Sequence, residues 1–227
     1  MSIDDSYDKI AEVYDQEYQD KVSIAENIIL AKYLKDYRNG LVYDLGCGTG
    51  LFLDLVKPQM YIGFDTSKKM IQVARKKHPN NVFIIGDVQK GFKTQFPLKV
   101  VDNIVCLFCF NYFIGPAMVL SNIYDSLKIG GKFFFILGTN NYYNRKSYIL
   151  KKHNIRAFTK SYSILRLRVL FNYYFTDFKI TPFNGYLVNK NLKYVPQWLV
   201  TLFMRYEKPF LRHDNCNFYI ISGTKTA

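Results

Sequence analysis

The sequence predicts an α/β fold: a doubly wound, mostly parallel sheet with helices on both faces. Three observations carry that reading. Short apolar segments alternate with helical patterns from residue 41 to residue 138, and such alternation builds parallel sheets covered on both sides. A glycine-rich turn, Gly46-Cys47-Gly48-Thr49-Gly50, follows the first apolar segment and opens a helical one. Carboxylates stand at the ends of the first three apolar segments, as Asp44, Asp65 and Asp87.

Taken in order, the first forty residues read as helical. Ile24, Ile28, Ile29, Ala31 and Leu34 share one helical face, and Asn39-Gly40 supplies the stop. Leu41 to Leu45 is the first strand, and Leu51–Val56 a helix. Tyr61 to Phe64 is the second strand, followed by a helix from Ser67 to Lys77. Val82 to Ile85 is the third strand. Val101 to Phe110 holds a fourth, apolar enough to be central. Pro116 to Leu127 is a helix, and Gly130-Gly131 turns the chain into a fifth strand, Lys132 to Leu137. Further on, Ser161 to Phe171 reads as a helix, with Thr159 or Ser161 as its N-cap. Phe175 to Pro182 and Asn217 to Ser222 read as strands, and Tyr194 to Arg212 as one or two amphipathic, aromatic helices. Residues 140–160 and 184–213 are expected to form a cap over the sheet.

The 227 residues suit one domain, and no run of about 18 apolar residues suggests a membrane-spanning helix. The acidic, polar start, Met1-Ser2-Ile3-Asp4-Asp5, is unlike a secretory signal. Cys106 and Cys109 have CxxC spacing but lie in an apolar run, so they read as buried thiols in a reducing, cytoplasmic setting, with no metal expected. The net charge of +13 is uneven: residues 1–139 hold 16 Lys and Arg against 15 Asp and Glu, and residues 140–227 hold 15 against 3. The second part is therefore basic, and it is also rich in aromatics. That suits an anionic partner or substrate, or simply a solvated basic face.

The glycine turn carries the chemistry. Glycines at 46, 48 and 50 permit positive φ and close approach of a ligand to backbone, at the strand edge where open α/β sheets bind. A dinucleotide turn would need its third glycine one place later, where Leu51 stands. Asp44 just before the turn would repel a pyrophosphate but suits a cationic amino group. Asp65, 21 residues on, can accept both hydroxyls of a ribose, and Asp87 can accept from an exocyclic amine.

These residues, with Leu127-Lys128-Ile129-Gly130-Gly131, resemble the signature of the class I S-adenosylmethionine-dependent methyltransferases over roughly residues 6–138. The resemblance implies seven strands in the order 3-2-1-4-5-7-6, the last antiparallel, with a small helical cap. It implies a single domain over 1–227: a helical cap over 1–40, a cofactor-binding core over 41–138, and an acceptor-side part over 139–227 with a basic, aromatic insertion between the sixth and seventh strands. The cofactor would be S-adenosylmethionine and the product S-adenosylhomocysteine. By position, the backbone of Gly46, Cys47 and Gly48 would line the methionine part, with Asp44 near its amino group. Asp65 would hold the ribose, Thr66 and Met70 would flank the adenine, and Asp87 with Val88 would bind its edge. Leu107 would lie against the methionine moiety, and Tyr14, with Tyr7 as a second candidate, would cover the cofactor.

The acceptor is less legible. After the fourth strand comes Cys109-Phe110-Asn111-Tyr112-Phe113 in place of the Asn/Asp-Pro-Pro-Tyr/Phe run used on planar nitrogens. The expected reaction is methyl transfer to an oxygen or nitrogen of a small molecule, anionic, sugar-linked or a secondary metabolite. RNA or protein methylation through the basic tail, and a non-catalytic cofactor-binding role, are the alternatives. His153 and His213 are the candidate general bases; His78, before Pro79, reads as structural. The basic, aromatic tail could also grip nucleic acid, or lie on an anionic membrane through residues 194–212. The oligomeric state, monomer or homodimer, stays open.

Overall fold

A computed structural model describes residues 3–90, 101–142, 159–185, 192 and 194–227. Seven strands form one sheet: β1 (Leu41–Leu45), β2 (Met60–Asp65), β3 (Val82–Ile85), β4 (Val101–Leu107), β5 (Leu127–Gly138), β6 (Asp177–Phe183) and β7 (Phe218–Thr224). Their order is β3-β2-β1-β4-β5-β7-β6, the order that the resemblance implies. β1 to β5 pair in parallel, and β7 runs antiparallel to both β5 and β6. β6 is thus parallel to β1–β5, and every strand except β7 ends at one edge of the sheet.

The helices are α1 (Ile3–Asp8), α2 (Lys21–Leu34), α3 (Leu51–Leu55), α4 (Lys68–Lys77), α5 (Pro116–Ser126), α6 (Ile164–Asn172) and α7 (Gln197–Tyr206). Local chemistry sets their starts. The Asp20 carboxylate accepts from the N–H groups of Val22 and Ser23 at α2, and the Ser67 hydroxyl from Met70 N–H at α4. Pro116 opens α5 at a position that needs no N–H donor. Arg75, Lys76 and Lys77 close α4 where cations suit the helix dipole.

Helices cover both faces of the sheet, so the central strands are apolar on both. Ile104, Phe133 and Phe135 join the core that holds Phe171 and the α5 residues Leu120 and Ile123. Their neighbours Val105, Phe134 and Ile136 join the opposite core, with Leu30 and Leu34 of α2 and Val200 and Met204 of α7. This alternation is the period-2 geometry of a strand buried twice.

Several boundaries depart from the sequence reading. Within the Val101 to Phe110 run β4 stops at Leu107, because Phe108 takes a left-handed φ of 60° and a single 3-10 turn follows over Phe110–Tyr112. β5 starts at Leu127, and Gly130 (φ +80°) bends within it. β6 begins at Asp177, since Phe175 turns into the core with its ring 4.2 Å from that of Phe133. The N-cap of α6 is Ser163, accepting from Arg166 N–H, rather than Thr159 or Ser161. The N-terminal forty residues are helical in pieces, α1, a 3-10 turn over Tyr14–Tyr18, and α2. Of the expected cap, residues 143–158 and most of 186–193 lie outside the described residues.

Asn111 ties the turn after β4 to the end of β5. It is fully buried; its Nδ2 donates to Gly138 O (3.0 Å) and Lys160 O (2.7 Å), and its Oδ1 accepts from Gly138 N–H (2.9 Å). Asn111→Ala should strand these backbone groups and lower stability by about 3 kcal/mol. Urea unfolding followed by circular dichroism measures it, and a change within error would contradict this role.

Candidate functional site

The site grows from the turn between β1 and α3. The N–H groups of Gly46 and Cys47 both donate to Phe64 O, at 2.8 and 2.9 Å, so the turn folds back onto β2. Gly48 N–H donates to Asp65 Oδ2 at 2.8 Å. Gly46 has φ +69°, and a Cβ there would fall 2.2 Å from Cys109 Sγ. Gly48 has φ +53°, and a Cβ there would meet nothing within 4 Å. One glycine permits close packing beneath the turn, and the other forms an open wall above it.

That wall bounds a cavity of about 610 Å³ at the carboxyl edge of the sheet. Tyr14, Gly46, Gly48, Asp65, Thr66, Met70, Asp87, Val88 and Leu107 all line it, and so does Tyr7. Asp44 and Cys47 are not on its lining; both are buried beneath the turn. The amides of Gly46, Cys47 and Gly48 are committed to Phe64 and Asp65, so any backbone contact to a ligand would come from carbonyls or from close packing.

The three carboxylates differ in setting. Asp65 is half-buried; its Oδ1 accepts from Ser67 N–H at 2.9 Å while Oδ2 holds Gly48. Asp87 Oδ1 accepts from the N–H of Gln89 at 2.9 Å, starting the 3-10 turn over Val88–Lys90. Asp44 is 1% exposed; its Oδ2 accepts from the Tyr61 hydroxyl at 2.9 Å, and its buried Oδ1 has no hydrogen-bond partner. Burial raises the Asp44 pKa to about 7, the Tyr61 hydrogen bond opposing and the Asp65 charge adding to the rise.

The N-terminal segment is fastened across this cavity. The Asp8 carboxylate accepts from Ser67 Oγ and from Lys69 N–H at the start of α4. Asp15 accepts from Thr49 Oγ1 at 2.6 Å and from Lys77 Nζ at 2.7 Å. Ile10 and Ala11 are buried against Met70, and the Tyr7 hydroxyl donates to that of Tyr112 at 2.7 Å. Each bond joins the segment to the turn, to α4 or to the loop after β4.

Sequence reasoning missed part of the lining: Phe108, Cys109, Tyr112, Phe113 and Ile114. The run after the fourth strand matches no acceptor motif, and a phenylalanine in the left-handed region leaves no mark in sequence. Gln89 was also missed; its Oε1 accepts from Ile114 N–H at 2.6 Å and so couples the Asp87 turn to that loop. His213 lies outside the cavity lining, its ring 5.6 Å from that of Tyr219, and burial lowers its pKa. His153 lies outside the described residues. His78 Nε2 sits 3.2 Å from Asp54 Oδ1 and its ring packs beneath Gly50, a structural placement. Cys106 and Cys109 are free thiols, the first buried and the second half-buried.

Comparison with known proteins agrees with this geometry. Residues 43–135 match the family model described as a methyltransferase domain. The malonyl-[acyl-carrier protein] O-methyltransferase of Halalkalibacterium halodurans is 36% identical over 101 residues, 41% of this chain and 37% of that protein. The structure of a Thermotoga maritima S-adenosylmethionine-dependent methyltransferase, described as a possible histamine N-methyltransferase, superposes with TM-score 0.70 at 18% identity, covering 99% of this chain and 100% of that one. A Haloferax volcanii chain solved with the Trm112 methyltransferase activator gives TM-score 0.69 at 20% identity, covering 100% and 98%. At such identities the structural likeness is one of fold. The matched stretches span 37% to 51% of the first curated relatives. The seven-strand order and the glycine turn are those of the class I methyltransferase fold, and residues 43–135 carry the match to the methyltransferase domain.

Proposed function

We propose that this chain binds S-adenosylmethionine in the 610 Å³ cavity and transfers its methyl group to an oxygen or nitrogen of a small-molecule acceptor. The observation that carries the reading is the make-up of that cavity. Its lining joins the open Gly48 wall, Asp65 and Asp87 with the aromatic rings of Tyr7, Phe108, Tyr112 and Phe113.

The residues fit the cofactor. Each Asp65 oxygen can accept two hydrogen bonds, so a carboxylate already holding Gly48 and Ser67 can also take two ribose hydroxyls. Met70 and Val88 offer apolar surface to a purine, and the Asp87 oxygen not used by Gln89 suits its amino group. The buried, unpartnered Oδ1 of Asp44 lacks a positive counterpart, which an ammonium group can supply through the turn or a bridging water. Thr66, Leu107 and Tyr14 complete the enclosure, and Gly46 and Cys47 shape the floor.

The bound cofactor supplies an activated methyl group. The chain's part is to fix its direction and exclude water, since transfer depends on in-line proximity. The N-terminal segment does this from above, and the Tyr7–Tyr112 hydroxyl pair offers a polar point within an aromatic wall for orienting an acceptor. That mixture of aromatic surface and few polar groups favours a small, partly apolar acceptor over a nucleic acid.

Asp65→Ala should weaken S-adenosylhomocysteine binding by about 1.5–3 kcal/mol per lost hydrogen bond, more than about tenfold. Isothermal titration tests it, and unchanged affinity would contradict the assignment. A methylation screen with labelled cofactor then separates acceptors: transfer only to RNA or protein would overturn the small-molecule reading, and binding without any transfer would favour a non-catalytic role.

Asp44 gives a pH-dependent prediction. Its folded pKa of about 7 lies above the ordinary carboxylate value of 3.8, so the folded state holds the extra proton between them. The Asp44 contribution to stability therefore falls as pH rises through that window. Asp44→Asn should melt no lower than the parent at about pH 8, yet bind S-adenosylhomocysteine more weakly for want of a charge. Differential scanning fluorimetry with and without ligand reads both effects; a lower melting point with unchanged ligand shift would sink this role.

A further inference from the structure

α7 is apolar on two opposite sides. Val200 and Met204 turn inward and are buried in the core shared with α2. Trp198, Leu199, Leu202, Phe203 and Tyr206 recur at helical spacing on the other side and stay exposed, Trp198 at 67% and Tyr206 at 70%. An ordinary surface helix carries polar residues there. A contiguous apolar stripe of this kind marks an interaction surface.

Beside the stripe lies a second cavity of about 330 Å³. Lys32 of α2, Arg205 of α7 and Lys208 line it together with Tyr33, and no acidic residue does among those described. Lys208 Nζ stands 5.5 Å from the Tyr33 ring centroid. The nearby Glu207 is buried, accepting from Gly185 N–H, so its charge is turned inward. With three cations and no carboxylate among its described lining, the cavity has the charge that a phosphate group needs.

The stripe's chemistry selects the occupant. Trp and Tyr rings with aliphatic neighbours and flanking cations are what an anionic bilayer surface accepts. A second copy of this face would set Arg205 and Lys208 against their own kind. A nucleic acid would leave Leu199 and Leu202 without stacking partners. The connections also suit a bilayer: β6 ends and β7 begins at the carboxyl edge, so the insertion bearing α7 leaves and re-enters the sheet at the edge where the cofactor cavity opens.

We propose that this chain docks onto anionic lipid bilayers through α7, its Trp198–Tyr206 stripe entering the headgroup boundary and the Lys32–Arg205–Lys208 cavity holding a lipid phosphate. The inference stands on residues away from the cofactor cavity, so it and the methyl-transfer reading can fail separately.

The test is co-sedimentation of the full chain with phosphatidylcholine vesicles, with and without phosphatidylglycerol. We expect pelleting with the phosphatidylglycerol vesicles only, weakening as salt is raised. The Trp198→Ser/Leu202→Ser and Arg205→Ala/Lys208→Ala variants should each weaken it by about tenfold or more. All four positions are exposed, so both variants should keep the parent's melting point and its affinity for S-adenosylhomocysteine. Three results would overturn the proposal: no pelleting with the anionic vesicles, equal pelleting with neutral ones, or pelleting that both variants leave intact. A dimer in light scattering that Trp198→Ser/Leu202→Ser splits into monomers would also overturn it, assigning the stripe to a second copy of the chain.

Discussion

The hydrogen bond from Gly48 N–H to the Asp65 carboxylate is the constraint on which the site depends. It joins the turn after β1 to the end of β2 across the sheet's carboxyl edge. The two preceding amides reinforce it by sharing the carbonyl of Phe64. Fixed at both strands, the turn must reverse within a few residues, and its glycines take positive φ at 46, 48 and 50. What this leaves uncovered is the open face of Gly48, and the cavity forms against it.

The rest of the molecule holds that edge in place and closes it. Apolar strands buried on both faces make the sheet a rigid base. The loop after β4 is anchored by Asn111 on one side and Gln89 on the other, so Phe108 to Ile114 stand as a fixed wall even though Phe108 is strained. Strain of that sort persists only where the surroundings hold it, and it gathers at functional sites. The N-terminal segment is attached by polar bonds to the turn, α4 and the loop, over a small apolar contact at Met70. Its attachments therefore report on the same elements that shape the cavity.

Much of this was legible in the residues. The alternation from Leu41 to Leu137 gave the parallel sheet, because strands covered on both faces must be apolar throughout. The strand order needed the family resemblance, since spacing alone does not fix which strands neighbour. The acids at 44, 65 and 87 were visible as a set, but their different depths were not. Asp44 is one residue short of the end of β1, and strand alternation carries its side chain under the turn, beside Tyr61. The wall after β4 was hidden because its backbone break falls at a phenylalanine, a residue with no turn signature. Contacts between distant segments, such as Tyr7 with Tyr112, have no local code at all.

The central claim is that the Gly48 wall and the Asp65 carboxylate together cradle an adenosyl amino acid. A crystal structure of the chain grown with S-adenosylhomocysteine tests it most directly. The account predicts the ribose hydroxyls on Asp65, the adenine between Met70 and Val88, and the amino group on the Asp44 side of the turn. Ligand bound elsewhere, or a turn that shifts to fill the space above Gly48, would contradict it.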